Sequence, residues 1–486
     1  MYLGIDVGTS AVKAAVIDES GGMIDQASSP LSVSRPQALW SEQNPADWWA
    51  ATNSAVRDLR PPVRRAVRAI GLSGQMHGAT LLDKNQRALR PAILWNDGRS
   101  AQQCVQLEES VPDLARITGN RAMPGFTAPK LLWARLHEPR IFAATAMVLL
   151  PKDYVRLRMT GESASDMSDS SGTLWLDVAQ RRWSGTMLAA TGLDVSHMPK
   201  LYEGNEITGV LRAEIAEAWG MSRVPVVAGG GDNAAGAIGV GVVRAGEAFL
   251  SLGTSGVLFL ANDGYRPNPA GGVHTFCHAL PAHWHQMSVI LSAASCVDWA
   301  ARLCGLADAG ALFDAAEARN QPTRGEIFLP YLSGERTPHN DPNAHGVLFG
   351  LNHESDAPAI AQAVLEGVAF AFRDGMDALL ATGANIESIA VIGGGARSRY
   401  WGRILSSVLQ RSLTYRDSGA VGPAFGAARL ARMGAENSSI EDICTPPPIL
   451  HVAEPDERLA DLYARKFQRY RSLYQNLKDS FRETAT

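Results

Sequence analysis

The chain has 486 residues, 46% hydrophobic and 19% charged, with a formal net charge of −4. That length exceeds what one hydrophobic core usually serves, so two or three domains are expected, while the near-neutral balance gives no basic surface to recruit nucleic acid or an anionic membrane. No run approaches the ~20 apolar residues that span a bilayer, no signal-like segment opens the chain, and the scattered cysteines (Cys104, Cys277, Cys296, Cys304, Cys444) form no C-x-x-C pair, so reduced thiols in a cytoplasm are expected.

The opening residues read as strand, Gly-centred turn, strand: YLGID, VGTS, AVKAAVID. Asp6 ends the first strand. Backbone amides at Gly8 could converge on an anion, with the Thr9 and Ser10 hydroxyls as further donors. Lys13 would bring a positive charge nearby, and Asp6 could hold Mg²⁺ directly or through water. An ordinary hairpin turn would use the same residue types. A helix follows, with Asn44 as its cap and Pro45 at its first position. AVRAIGLSGQMHGATLLD then reads as two strands around a loop. Gln75-Met76-His77-Gly78 and Trp95-Asn96-Asp97-Gly98-Arg99 set polar groups beside a thioether and an aromatic, a mixture that suits a sugar. His77 reads equally as a structural histidine, and Asp97 as the cap of a helix starting at Arg99.

At mid-chain, VVAGGGDNAAGAIGVG (226–241) runs from an apolar strand through Gly229–Gly231 to Asp232-Asn233 and a series of small residues. Small residues permit close packing, so Asp232 is expected partly desolvated and facing a cleft, where it could accept a hydroxyl proton. Its alternative role is the cap of the helix that follows. The strand–GTS–strand frame recurs at 247–260, with Gly253-Thr254-Ser255 half a chain-length after Gly8-Thr9-Ser10, a sign of duplication. Later, AIAQAVLEGVAFAFRDGMDALL reads as a long apolar helix and IAVI as a buried strand leading into Gly393-Gly394-Gly395-Ala396 before another helix, an arrangement suited to a nucleotide. Neither G-x-G-x-x-G nor G-x-x-x-x-G-K-[ST] occurs. A last helix follows PPPILHVAEPDER, with Leu459, Leu462, Tyr463, Phe467, Tyr470, Leu473, Tyr474 and Leu477 on one face and Arg465, Lys466 and Arg469 on its solvated side. Alternating strands and helices give an α/β class, divided near residue 243 into domains 1–243 and 244–486.

Asp6-Val7-Gly8-Thr9-Ser10, Gly253-Thr254-Ser255 and Gly393-Gly394-Gly395-Ala396-Arg397-Ser398 resemble the phosphate and adenosine motifs of the FGGY carbohydrate-kinase family, which includes glycerol kinase. Residues 124–139 and 346–370 are similar to its two long diagnostic segments, and the resemblance runs from residue 1 to about 430. It implies two domains of the actin/Hsp70/hexokinase (ribonuclease H-like) fold, an N-terminal sugar domain and a C-terminal nucleotide domain, with the cleft between them. Within the family, SGQMHGA, LWNDGRS, LLPKDYVRLRMTG and AGGGDNAAGAIG resemble the xylulose-phosphorylating members. Glycerol kinases typically carry Asn-Gln-Arg-Glu where this chain has Gly74-Gln75-Met76-His77, which favours a sugar over glycerol. The resemblance thus implies D-xylulose and ATP as substrates, with Mg²⁺. Met76, His77, Asp232 and Asn233 would contact the sugar, Asp232 as proton acceptor. Asp6, Gly8, Thr9, Ser10, Lys13, Gly253, Thr254, Ser255, Gly393, Gly394, Gly395 and Ala396 would serve the nucleotide, and Asp6 the metal. It allows a homodimer and gives no nucleic-acid or membrane partner. The alternatives are a kinase of another ketopentose or a pentitol, such as ribulose, or an actin- or Hsp70-like ATPase without sugar kinase activity. Without ligands the cleft is expected open, with Asp6 and Asp232 separated across it.

Overall fold

The computed structural model describes residues 1–417 and 422–483. Two sheets carry the architecture. The first contains β1 (Tyr2–Val7), β2 (Ala11–Ile17), β3 (Met23–Pro30), β4 (Ala69–Gly74), β5 (Ile207–Val210), β6 (Pro225–Val227) and β7 (Gly230–Gly231). The second contains β8 (Glu247–Leu252), β9 (Gly256–Asn262), β10 (His274–Cys277), β11 (Trp284–Ile290), β12 (Ser388–Ile392), β13 (Leu413–Arg416) and β14 (Ile449–Ala453).

The strand order is β3-β2-β1-β4-β6 in the first sheet and β11-β9-β8-β12-β13 in the second, with β5 and β7 added to the former and β10 and β14 to the latter. In each, three antiparallel strands are followed by two that run parallel to the first strand. The repeated Gly-Thr-Ser turn thus marks the same corner of two like-ordered sheets. β1 and β4 are buried at every position, as expected of strands covered on both faces.

The helices that matter to the site are α1 (Pro45–Asp58), α2 (Thr127–His137), α3 (Pro151–Thr160), α4 (Met167–Ser171), α5 (Asp232–Val240), α6 (Ala357–Leu380), α7 (Arg399–Leu409), α8 (Pro423–Glu436) and α9 (Ala460–Glu483). α1 begins as its sequence indicates: the Asn44 side chain accepts from the Ala46 amide, with Pro45 at the first position. α6 is buried along most of its length and forms the spine of the second core.

α8 crosses the mid-chain division. It packs on the first sheet at backbone distance, because Gly4 and Gly71 carry no side chain. A Cβ on Gly4 would lie 1.8 Å from the Ala424 carbonyl oxygen, and one on Gly71 2.0 Å from that of Ala427. Gly426 closes on α5 in the same way, its Cβ position 1.7 Å from the Ala235 carbonyl oxygen.

The last helix, α9, buries Tyr463, Phe467, Tyr470 and Tyr474 against the second core. One expectation fails here. Lys466 is not on the solvated side; it is buried and bonds Glu366 and Thr323, because a carboxylate on α6 supplies the partner that a buried ammonium requires. Arg465 and Arg469 are exposed as expected.

Gly71→Val should lose about 1–3 kcal/mol of stability or more, since no side chain can yield to relieve a backbone clash. Gly185→Ala, at an exposed position with open space around it, should stay within about 0.5 kcal/mol of wild type. Urea unfolding of the two variants beside wild type measures both.

Candidate functional site

The parallel strands β1, β4 and β7 end at one edge of the first sheet. Asp6 pairs with Ser73, and Ser73 with Gly230, so the three strand ends lie side by side. Ligands of open α/β sheets bind beyond such carboxyl ends. Asp6, the Gln75–His77 segment and Asp232 therefore meet here. This corrects the expected separation of Asp6 and Asp232 across an open cleft: Asp6 lies on β1 and Asp232 directly follows β7, with β4 alone between those strands, so an opening between the halves would not part them.

The two acids are held under strain. Asp6 is 7% exposed, and its Oδ1 has no hydrogen-bond partner. Burial pushes its carboxyl up to about 6, against the pull of Ser73 and Lys13. Burial and the charge of Asp6 push Asp232 up to about 7, opposed by Asn233. The Asn233 amide and side chain donate to Asp232 Oδ1 at 2.8 and 3.0 Å. Asp232 is the first residue of α5 and makes no side-chain cap, which removes its helix-cap reading.

The loop carrying Asp232 is fixed from both sides. Gly229 has φ +78°, and a Cβ there would lie 1.8 Å from the Leu72 carbonyl oxygen; a Cβ on Gly231 would lie 2.9 Å from Met76 Sδ. Arg156 on α3 donates to the Val227 carbonyl at 2.9 Å and to that of Ala228. The Gly231 amide donates to Ser168 Oγ at 3.1 Å, and Ser168 in turn bonds Asp166. Behind these sits Lys152, fully buried, with Nζ 2.7 Å from Asp153 and Asp166 and 3.1 Å from Asp169. Burial works against its charge, but the three carboxylates together raise it. Burial keeps the Asp169 carboxyl well above the ordinary range, with Lys152 opposing.

His77 faces the same space. Its backbone is left-handed, φ +70°, a strained state for a non-glycine residue. Lys130 and Thr127 on α2 secure it by donating to the His77 carbonyl at 2.9 and 3.1 Å. His77 Nδ1 lies 2.7 Å from the Gly172 carbonyl oxygen, so Nδ1 carries the proton and Nε2 is left as an acceptor. Burial pushes the ring down to about 3, and it is neutral. Met76 is packed on Gly172, beside the His77 ring, and on Gly231, which precedes Asp232.

A cavity of about 740 Å³ begins at Asp232 and Asn233 and runs to Gly393, Gly394, Ala396 and Arg397 in the second half. Gly393 has φ +95° and backs onto Leu252, while Gly395 is buried beneath the loop against Trp401. Tyr415 and His451, stacked at 4.1 Å between ring centroids, line the far end with Arg416. This cavity joins Asp232 and Asn233 to the third glycine turn. Gly8–Ser10 and Gly253–Ser255 do not line it. Thr9 is instead built into the wall: it donates to Gln75 Oε1 at 2.9 Å and accepts from Trp95 Nε1 at 3.0 Å. The Gly253 and Thr254 carbonyls accept from the Ala294 and Ala293 amides, and Thr254 and Ser255 are exposed. Lys13 stands opposite Asp6 in the hairpin and borders a second space of about 460 Å³ beside Gly422–Phe425.

Asp97 and Arg99 are structural. Their side chains pair at 2.7 Å, fully enclosed, and Arg99 stacks 3.6 Å over Trp40. Sequence reading missed the Lys152 cluster, Ser168, Tyr415 and His451. Lys152, Asp153 and Arg156 look like the polar face of a surface helix, and Asp166–Ser171 like a loop; only the acidic surplus beside one lysine hinted at a buried network.

No helix among the described residues is long and apolar enough to cross a membrane, and no cluster of three or more metal-ligating side chains occurs among them. The FGGY family of carbohydrate kinases, N-terminal domain, matches residues 1–239, and its C-terminal domain residues 248–435. The chain is 55% identical to the xylulose kinase of Escherichia coli K12 over 98% of this chain and 99% of that one. It is 52% identical to the xylulose kinase of Klebsiella pneumoniae over the same shares. The crystal structure of a xyloylose kinase from Brucella ovis superposes with a TM-score of 0.96 at 50% identity, covering 98% of this chain and 99% of that one.

The raised Asp232 carboxyl has a consequence for stability. Because its folded value near 7 lies above that of an unfolded aspartate, about 4, the folded chain binds more protons between those values. The group therefore destabilises the fold increasingly as pH rises from about 4 to about 7. Asp232→Asn should melt above wild type at pH 8, with the gap closing towards pH 4, in thermal unfolding followed by circular dichroism.

Proposed function

The chain belongs to the FGGY family of carbohydrate kinases, and from that premise we propose that it transfers the γ-phosphoryl group of ATP to D-xylulose, forming D-xylulose 5-phosphate. The observation that carries this reading is the shared position of Asp232 and Asn233: they close one end of the cavity whose other end is the Gly393–Ala396 turn. An acceptor hydroxyl beside Asp232 would face the terminal phosphate of a nucleotide laid along that cavity. The names of the relatives support xylulose as the acceptor.

In this reading Asp232 accepts the proton of the C5 hydroxyl as its oxygen attacks phosphorus. Asn233 holds one carboxylate oxygen, which leaves the other for the sugar. His77 Nε2 accepts a sugar hydroxyl, and Met76 covers a carbon face. Phosphoryl transfer depends mainly on alignment and charge neutralisation. The unpartnered Oδ1 of Asp6 fits a Mg²⁺ that would neutralise charge on the transferring group, since Mg²⁺ needs only one or two carboxylates beside phosphates and water. The Gly393–Ala396 turn serves the nucleotide, with the Gly8–Ser10 and Gly253–Ser255 turns closing on its phosphates and Lys13 adding charge. Residues 1–243 carry the sugar and 244–486 the nucleotide. The protein acts in the cytoplasm, and homodimers are compatible with this reading.

Asp232→Ala should lose at least about 10²–10⁴-fold in kcat while retaining its melting transition, in an assay coupled to ADP release. Wild-type kcat/KM for xylulose should rise with pH through about 7, where Asp232 deprotonates. A sugar panel run in parallel decides the acceptor: faster turnover of ribulose or a pentitol than of xylulose would overturn the assignment.

A further inference from the structure

Arg336 is a largely buried cation whose neighbouring carboxylate is that of Glu335. It sits in the second half, on a turn where Glu335 and Asp341 bond each other's backbones. The Thr337 amide ties that turn to the Val289 carbonyl on β11 at 3.1 Å, and the Thr337 hydroxyl donates to the Gly272 carbonyl at 2.9 Å. The neighbouring Glu335 turns away, accepting from the Leu291 and Arg336 amides; burial pushes its carboxyl up to about 8, so it is protonated at neutral pH. The guanidinium makes one hydrogen bond among the described residues, from NH1 to His274 Nε2 at 3.3 Å.

The protonation states around it follow from their partners. Asn120 donates its amide hydrogens to the Thr118 and Thr275 carbonyls, so its oxygen accepts from His274 Nδ1 at 2.9 Å. His274 Nε2 is then a lone pair facing Arg336. His274 and His77 both pack on Phe126 and Phe276, with ring centroids 4.8–6.3 Å apart. The charge of Arg336 acts on both His274 and His77, so the guanidinium stands near the two rings. Met76, packed on Gly231 and Gly172, joins this group of rings to the loop that carries Asp232.

A ketose bound with its C5 hydroxyl at Asp232 directs its C1–C2 end towards His77 and beyond. The C2 carbonyl only accepts hydrogen bonds and needs a donor. His77 Nε2 and His274 Nε2 are acceptors. The Lys130 ammonium is committed to the His77 and Gly125 carbonyls at 2.9 and 2.7 Å, and Trp95 Nε1 to Thr9. The guanidinium remains, with spare N–H groups in a planar fork that spans two adjacent oxygens. His274 Nε2 meets only one of those N–H groups, and a largely desolvated cation gains from further acceptors.

Taking the proposed xylulose kinase activity as given, we propose that Arg336 is a substrate-binding residue of the second half: its guanidinium donates to the carbonyl and adjacent hydroxyl oxygens at the C1–C2 end of the sugar, and so selects ketose over polyol.

The test compares wild type, Arg336→Met and Arg336→Lys for kcat and KM with D-xylulose, xylitol and ATP, together with sugar binding by calorimetry without nucleotide. Arg336→Met should raise KM and the calorimetric Kd for D-xylulose about 10–100-fold and leave KM for ATP, and whatever rate the wild type shows on xylitol, within about twofold. Arg336→Lys, keeping charge but not the fork, should fall between. Unchanged xylulose binding in both variants, or equal losses on xylulose and xylitol, would overturn the role of Arg336, as would an effect confined to ATP. Melting curves identify a misfolded Arg336→Met, in which case Arg336→Lys alone decides between partial loss and none. Failure of the wild type to phosphorylate D-xylulose sinks the function itself and, with it, this role.

Discussion

The buried ammonium of Lys152, shared by Asp153, Asp166 and Asp169, is the contact on which the cleft depends. Burial raises the Asp169 carboxyl against the pull of Lys152, and Arg156 adds a second cation beside Asp153. The cluster reaches Asp232 through backbone, by way of Arg156 on the carbonyls before the glycines and Ser168 on the amide after them. Such networks add little net stability over an apolar core of equal volume, and breaking one leaves a buried charge uncompensated. What this one supplies is position. It lets three glycines, the least constrained of residues, hold a carboxylate at one place.

The two sheets show how a duplicated frame can be put to unlike uses. Each opens with the same hairpin, yet Asp6 stands two residues before Gly8 at the turn between β1 and β2, while Ser251 holds the equivalent place before Gly253 at the turn between β8 and β9. The first sheet's edge gathers two acids, and the charge of Asp6 raises the affinity of Asp232 for a proton. The second offers Gly393–Ala396 and the stacked Tyr415–His451 pair. A second pair of acids facing the first would repel both it and any polyphosphate placed between them. One half therefore carries the charge and the other the open backbone.

Local signals in the sequence were sufficient for the strand–turn–strand corners, the α1 cap, the buried spine of α6 and the desolvation of Asp232. Adjacency was not legible. Asp6, Ser73 and Gly230 meet through parallel pairing between distant segments, and hydrophobic periodicity reports which face is covered without naming what covers it. For the same reason Lys466 read as solvated and the Lys152 cluster went unseen: whether a charged residue is buried depends on a partner that its own neighbours in sequence do not reveal. The segment after residue 435 carries no motif, yet Leu450 and His451 on β14 line the cavity. An edge strand contributes through its place in a sheet, which no short pattern encodes.

The glycine contacts of α8 bear on which parts of the chain can move as one body. Residues 423–436 are numbered with the second half, but their backbone rests on Gly4 and Gly71 of the first sheet and on Ala235 of α5, too close for sliding. The helix must travel with the sheet that holds Asp6 and Asp232. The moving unit that carries the acids is thus assembled from both ends of the polypeptide, like a lap joint, and neither half presents a finished surface by itself. Loosening that one helix would uncover β1, β4 and α5 together, so the sheet that carries the acids depends on a segment from the far end of the chain.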